Sequence, residues 1–351
     1  MAAWKDDSLF KSFYHPTGFI MSACGDNAYQ RCIDYAENEK GKVVPLNSKE
    51  GFYSTMPEGV LTGDFPHWRG FWKDGGAGWV FASGALKAMH AEATRLGVEF
   101  VTGSPEGKVE ALIYASDGSV TGARTADGTK HIADQTILAA GANSDLLLDF
   151  KKQLRPTAWT LAHLRLTVEE SEKYRNLPVL YGVDRGFFIE PDEGKHEIKI
   201  CDEHPGYCNF ETVNGEMRSV PFARHQIPKE AEMRMRRLLQ ETMPQFADRQ
   251  FSFARLCWDA DTVDRMFLID RHPETKDLIV AVGGSGNGFM TSPAIGILVA
   301  DILENKLEER IKKMLRWRPE TGVSRDWWDP QGRYGADGKV MNLKDVKEWT
   351  S

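Results

Sequence analysis

Leu278 to Gly296 reads LIVAVGGSGNGFMTSPAIG: an apolar run of strand length, a loop carrying Gly283, Gly284, Gly286 and Gly288, and an apolar continuation that predicts a helix from about Pro293 to Glu304. Glycines let a backbone come close to a ligand, and a helix start turns unpaired N–H groups and the positive dipole end toward negative charge. A buried strand, a glycine loop and a helix in succession point to an α/β nucleotide-binding layer. Gly284-x-Gly286 resembles a dinucleotide loop, but it lies too near the C-terminus for a full mononucleotide half to follow it. Spacing alone leaves both a cofactor-facing turn and a tight structural connection open.

Outward from this unit the pattern alternates between two styles. On the N-terminal side, SGALKAMHAEATRL (83–96) places Leu86, Met89, Ala93 and Leu96 on one helical face and stops at Gly97. Short apolar runs follow at Val98 (VEFV), Val109 (VEALIYA), Ser119 (SVTGART) and Thr136 (TILAAGA), with a turn at Asp117-Gly118. From about Leu154 the runs lengthen into half-buried strands, LAHLRLTV at Leu161, GFFIEP at Gly186 and HEIKIC at His196, which predict a mostly antiparallel sheet. A helix from Lys229 to Met243, with Met235, Leu238 and Leu239 inward, closes that region, and a last helix is expected over Leu307–Trp317. The expected fold is mixed α/β (α+β): residues 1–153, interleaved with segments of the substrate domain, and 251–351, with the C-terminal helices, form a nucleotide-binding layer, and 154–250 form mainly an antiparallel substrate-binding sheet inserted between them.

The 351 residues are 41% hydrophobic and 27% charged, which excludes a disordered chain. A net charge of -7 argues against a broad basic surface for nucleic acid or anionic lipid. No stretch has the uninterrupted apolar length of a membrane span. The five cysteines, Cys24, Cys32, Cys201, Cys208 and Cys257, are odd in number and widely spread, so they form neither a disulfide framework nor a zinc site.

Two further segments carry chemistry-bearing side chains. RLCWDADTVDRMFLIDRHP (255–273) sets Cys257 before an acidic turn and a strand, and taken alone such a thiol is expected in the core. In EIKICDEHPGY (197–207) alternation puts Lys199, Cys201 and Glu203 on one face and Ile198, Ile200 and Asp202 on the other. Lys199 and Glu203 could bind a zwitterion or simply pair with each other.

These segments, with YHPTGFIMSA at Tyr14, GDFPHWRGFW at Gly63, LDFKKQLRPTAWTL at Leu148, IKICDEHPGYCNF at Ile198 and SFARLCWDADT at Ser252, resemble the fungal fructosyl amino acid oxidases, or amadoriases, of the sarcosine-oxidase-like flavoproteins. The resemblance covers nearly the whole chain. It implies an FAD-binding Rossmann-like layer and an enzyme that oxidises the C–N bond of a secondary amine to an imine, with O2 reduced to H2O2. In that family a cysteine is joined to the flavin by a thioether; its equivalent here is Cys257, fixed by the ten-residue step to Phe267. Lys199 matches the lysine that assists oxygen. Glu203 matches the carboxylate that binds the sugar or amine part of the substrate. The cofactor contacts carried over are Val109 and the loop Gly284, Ser285, Gly286, Asn287, Gly288 and Phe289. The expected partners are a small secondary amine and O2, the chain acting as a monomer in the cytoplasm or peroxisome.

Two departures modify these expectations. Amadoriases follow the glycine loop with a lysine that pairs with the substrate carboxylate, whereas this chain has Met290, whose thioether cannot do so. Either the substrate is less polar, such as an N-methyl or other N-alkyl aromatic amino acid of a fungal secondary-metabolite pathway, or another cation, Arg185 or Lys73, substitutes. Family members also open with a strand, a G-x-G-x-x-G turn and a helix, and this chain contains no G-x-G-x-x-G. The expectation is that coding sequence upstream of Met1 supplies that unit; the alternative is a short, non-catalytic form that does not bind FAD. A nicotinamide dehydrogenase built on the late glycine loop is disfavoured, because no acidic residue about 20 positions downstream ends a following strand for ribose binding.

Overall fold

The computed structural model describes residues 2–39, 42–192, 194–213, 215–333 and 338–350. Its principal element is a sheet of ten strands, here β1 to β10 in chain order: Phe19–Ala23, Val44–Leu46, Arg69–Lys73, Leu154–Arg165, Val179–Gly182, Gly186–Ile189, Glu197–Asp202, Tyr207–Cys208, Phe253–Thr262 and Met341–Asn342. Their spatial order is β10-β8-β4-β7-β6-β5-β1-β3-β2, with β9 paired along the other edge of β4. Pairing is antiparallel except for β5 with β1 and β8 with β10. β4 and β9 run together for ten residue pairs, setting Trp159 opposite Cys257 and Leu161 opposite Arg255.

One face of this sheet makes the main core. Ile20, Leu164, Leu180, Phe188, Ile198 and Ile200 pack against Met235, Leu238 and Leu239 of the helix Lys229–Thr242, as the 3.6-residue pattern of that helix predicts. At roughly 25 cal/mol per Å2 of apolar surface, each such side chain contributes about 1.5–3 kcal/mol when fully buried. Because successive strand residues point to opposite faces, burying Ile198 and Ile200 obliges Lys199 and Cys201 to face the other way.

A second layer holds the glycine loop. Leu278–Val282 lies between Leu268–Arg271, antiparallel, and Thr136–Leu138, parallel. Helices Gly288–Leu303 and Glu309–Leu315 cover it through Ile269, Ile279, Ile302 and Leu315. A three-stranded antiparallel sheet of Val109–Tyr114, Val120–Thr125 and Lys130–Ile132 completes the layer.

Several sequence expectations need correction. The helix after the glycine loop starts at Gly288, and Pro293 lies inside it. Thr291 Oγ1 donates to the Asn287 and Gly288 carbonyls in the first turn, so the helix start lies within the glycine loop itself. The last helix spans Glu309–Leu315, shorter than expected. VEFV at Val98 forms no strand: the Val98 N–H closes the preceding helix by bonding the Ala93 carbonyl, and no described strand pairs with the segment. The helix Ala82–Arg95 exists, but it buries Ala85, with Met89 half-buried, against Trp4, Phe10 and Phe13, leaving Leu86 and Leu96 exposed.

Candidate active site

On the face of the sheet opposite the main core lies a cavity of about 360 Å3. β7 supplies Lys199 and Cys201 and runs on into Glu203; β4 supplies Trp159 and Leu161, and β9 Cys257 and Asp259; the glycine loop supplies Gly286. Lys199, Glu203, Cys257 and Gly286, expected from sequence to act together, therefore meet in one place.

The Cys257 side chain is exposed, which overturns the core reading of this thiol; Cys32 and Cys208 are the buried ones. Its position follows from strand alternation, since Leu256, one residue before it, is buried. Lys199 and Glu203 do not form the ion pair that their spacing suggested. The Lys199 ammonium lies 5.8 Å from the centroid of the Phe187 ring, and among the described residues no carboxylate lies within 4.0 Å of it. A second cavity, of about 380 Å3, meets Lys199 together with Trp79, His163, Glu197 and Arg255, so the lysine stands between two spaces.

Glu203 titrates near 8. Burial raises it most, the Asp202 carboxylate adds to this, and Arg333, Arg31 and the Tyr181 hydroxyl pull it back. At neutral pH it therefore carries its proton and can donate a hydrogen bond. Asp202, on the core side, is held by Arg234 Nε at 2.8 Å and by the Thr160 hydroxyl. Burial and the nearby Arg234 and Arg333 keep His204 neutral; its ring stacks on Trp159 at 4.6 Å. Arg333 bonds Asp261 at 2.6 Å, with Asp259 at 3.6 Å.

The glycine loop is braced from beneath. Ser285 is fully buried and its hydroxyl accepts the Thr262 N–H at 3.2 Å, tying the loop to the end of β9. Gly283 has φ 81°, and a Cβ there would lie 2.7 Å from the Thr262 methyl. Ser285 is thus an anchor of the loop, while Gly286 faces the cavity.

Other expected site residues lie elsewhere. Arg185 is paired with Glu241 at 3.0 Å and Asp184 at 3.4 Å, and Lys73 with Glu39, so neither is a spare cation in this cavity. Val109 is exposed, on the small three-stranded sheet. Met290 is 54% exposed and its carbonyl accepts the Trp4 indole N–H at 2.7 Å, while Phe289 stacks on Trp4. Asn287 precedes the helix and its N–H bonds the Gly284 carbonyl at 2.7 Å. Sequence reading missed Arg31, Trp159, Tyr181, Asp259, Arg265 and Arg333, all of which line the cavity. Asp259 could have been found as the same-face neighbour of Cys257; Arg31, on the helix Asp26–Asn38, carried no such signal.

The residues present fit the ring end of a flavin: an outward thiol on the sheet floor, an ammonium with no carboxylate beside it among the described residues, and Gly286 of the glycine loop, which leads on into a helix start, all border one cavity.

Known flavoproteins share the sequence and fold of this chain. The family model described as FAD dependent oxidoreductase (DAO) matches residues 3–302. Amadoriase I of Aspergillus fumigatus, a fructosyl amine:oxygen oxidoreductase, is 56% identical, with a TM-score of 0.93 over 99% of this chain and 80% of that one. Amadoriase II of the same organism, a fructosamine oxidase in complex with FSA, is 51% identical, with a TM-score of 0.97 over 100% of this chain and 80% of that one. L-saccharopine oxidase of Schizosaccharomyces pombe is 29% identical over 349 residues, 93% of this chain and 80% of its own length. With the family model matching residues 3–302 and both amadoriases more than half identical over nearly all of it, the chain belongs to the FAD-dependent oxidoreductases.

Proposed function

We propose that this chain oxidises the C–N bond of a secondary amine, of fructosyl amino acid or N-alkyl amino acid type, to an imine while O2 becomes H2O2. The observation that supports this most is the convergence of Lys199, Glu203, Cys257 and Gly286 on one cavity in a chain 56% identical to amadoriase I. Bound FAD would supply the two-electron acceptor and its reoxidation by O2. Cys257 is the thiol that would hold the ring covalently. Lys199 places a positive charge where negative charge develops on oxygen. Glu203, protonated at neutral pH, donates a hydrogen bond to a hydroxyl or other acceptor on the substrate. Burial of Ile198 and Ile200 fixes β7 and with it the aim of Lys199 and Glu203.

The test begins with the purified chain incubated with FAD. The expected protein is yellow, keeps its flavin through acid denaturation, and releases peroxide with fructosyl glycine or sarcosine. Cys257→Ser should lose only the acid-stable link. Lys199→Met should slow the oxygen-dependent half-reaction at least tenfold and leave anaerobic reduction by the amine nearly unchanged. A colourless chain that takes up no FAD would defeat the oxidase reading; equal loss in both half-reactions would defeat the role of Lys199.

A further inference from the structure

With Met290 turned outward and Arg185 and Lys73 already paired, the carboxylate of an amino acid substrate has none of the cations expected for it. The cavity wall nevertheless holds two guanidinium groups that make no ion pair among the described residues: Arg31, on the helix Asp26–Asn38, and Arg265, in the turn after β9. Arg265 donates only a long bond from Nη2 to the Ser285 carbonyl at 3.4 Å, and its buried Nε has no partner.

The turn that presents Arg265 is rigid. Its backbone is left-handed, with φ 60°. The Arg265 N–H bonds the Thr262 carbonyl at 3.3 Å, Thr262 Oγ1 donates to the Met266 carbonyl at 2.6 Å, and Asp264 is held by Arg318 at 2.8 Å. A non-glycine residue is strained there and stays only because its surroundings brace it.

Asp261 acts on Arg265 from a distance, but among the described residues no carboxylate is in ion-pair contact with either arginine. Asp202 is taken by Arg234, Asp259 and Asp261 face Arg333, and Glu203 is protonated at neutral pH. Burial, with Arg333 and Arg31 close by, weakens the hold of Arg265 on its own proton, and the opposing pull of Asp261 and Tyr181 does not make this up. A half-buried cation facing other cations is unfavourable until an anion arrives, and a guanidinium suits the two oxygens of a carboxylate.

We propose that Arg265 and Arg31 form the anion subsite of this cavity and take the carboxylate of an N-substituted amino acid, orienting its amine toward Lys199 and Glu203. The placement of the amine rests on the oxidase reading above; the anion subsite does not. The same chemistry could serve an anionic group of the cofactor, and the test separates the two.

Binding of (methylthio)acetate, a thioether acid with no oxidisable amine, and of its primary amide is measured by calorimetry on the purified chain loaded with FAD. Arg265→Gln and Arg31→Gln should each weaken the acid about tenfold to a hundredfold and leave the amide unchanged. Arg265→Lys should recover part of the affinity, and added salt should weaken the acid alone. Should Arg265→Gln fail to fold, Arg31→Gln and Arg265→Lys carry the comparison. Equal weakening of acid and amide, or an unchanged acid, overturns the proposal. So does a loss confined to FAD affinity in titrations of the chain before loading, which would assign the arginines to the cofactor. Acid binding that depends on both arginines, in a chain that releases no peroxide with any secondary amine, would sink the oxidase reading and leave the subsite standing.

Discussion

Glu203→Gln tests the electrostatics of the cavity without any cofactor or substrate. The Glu203 carboxyl titrates near 8 in the folded chain, raised first by burial and next by Asp202, whereas an ordinary glutamate titrates near 4.5. Above pH 4.5 the unfolded chain releases this proton while the folded chain keeps it until about 8. Within that window the folded state binds more protons, so stability falls as pH rises; above 8 both states are ionised and the deficit stays constant. At 1.36 kcal/mol per pH unit the full difference is about 5 kcal/mol. Because Glu203 is only partly buried on the cavity wall, roughly half of that is a better figure, about 2 kcal/mol.

Glutamine keeps the shape and cannot ionise. Urea unfolding followed by tryptophan fluorescence, at about pH 5, 6.5 and 8.5, should show the variant level with the parent at the lowest pH and more stable by about 2 kcal/mol at the highest. Asp145, raised to about 7 by burial, titrates in the same window, but it is present in both proteins and cancels in the difference. A difference that does not change with pH would mean that Glu203 is ionised throughout, and the neutral hydrogen-bond donor assigned to it would be wrong.

Trp4→Ala removes a buried indole that stacks on Phe289, meets Phe10 edge-on and bonds the Met290 carbonyl. It should lower stability by about 3–5 kcal/mol in the same urea assay, and a loss below about 1 kcal/mol would mean that the first helical residues are not docked. Ile297, on the outer face of the Gly288–Leu303 helix, is 64% exposed. Ile297→Lys should leave the unfolding midpoint within about 0.5 kcal/mol of the parent and reduce binding of an anilinonaphthalene dye; a large destabilisation would show that this face is packed.

Much of the cavity was legible because strand alternation is a strict rule. Once Ile198 and Ile200 are assigned to the core, Lys199 and Cys201 have only one other face to occupy, and Glu203 continues that face. The same rule applied to β9 would have corrected Cys257: the preference of cysteine for the interior is a population tendency, whereas its place beside buried Leu256 is a geometric constraint. Helical segments were less readable. Leu86, Leu96 and Ile297 are apolar and exposed, because a helical pattern records which residues prefer burial but not what is present to bury them.

The charge balance of the cavity was the least legible part, since it depends on pairings across long stretches of chain. Lys73 and Arg185 looked available in sequence, yet Glu39 and Glu241 occupy them. Arg265 directly follows Asp264 in the acidic turn DTVDR, so by sequence Asp264 would be its natural partner. Asp264 instead pairs with Arg318, which reaches it across 54 residues of sequence. That distant pairing strips Arg265 of its local counter-charge and frees its guanidinium for the cavity, so the anion preference proposed for the site comes from a tertiary contact that no spacing rule contains.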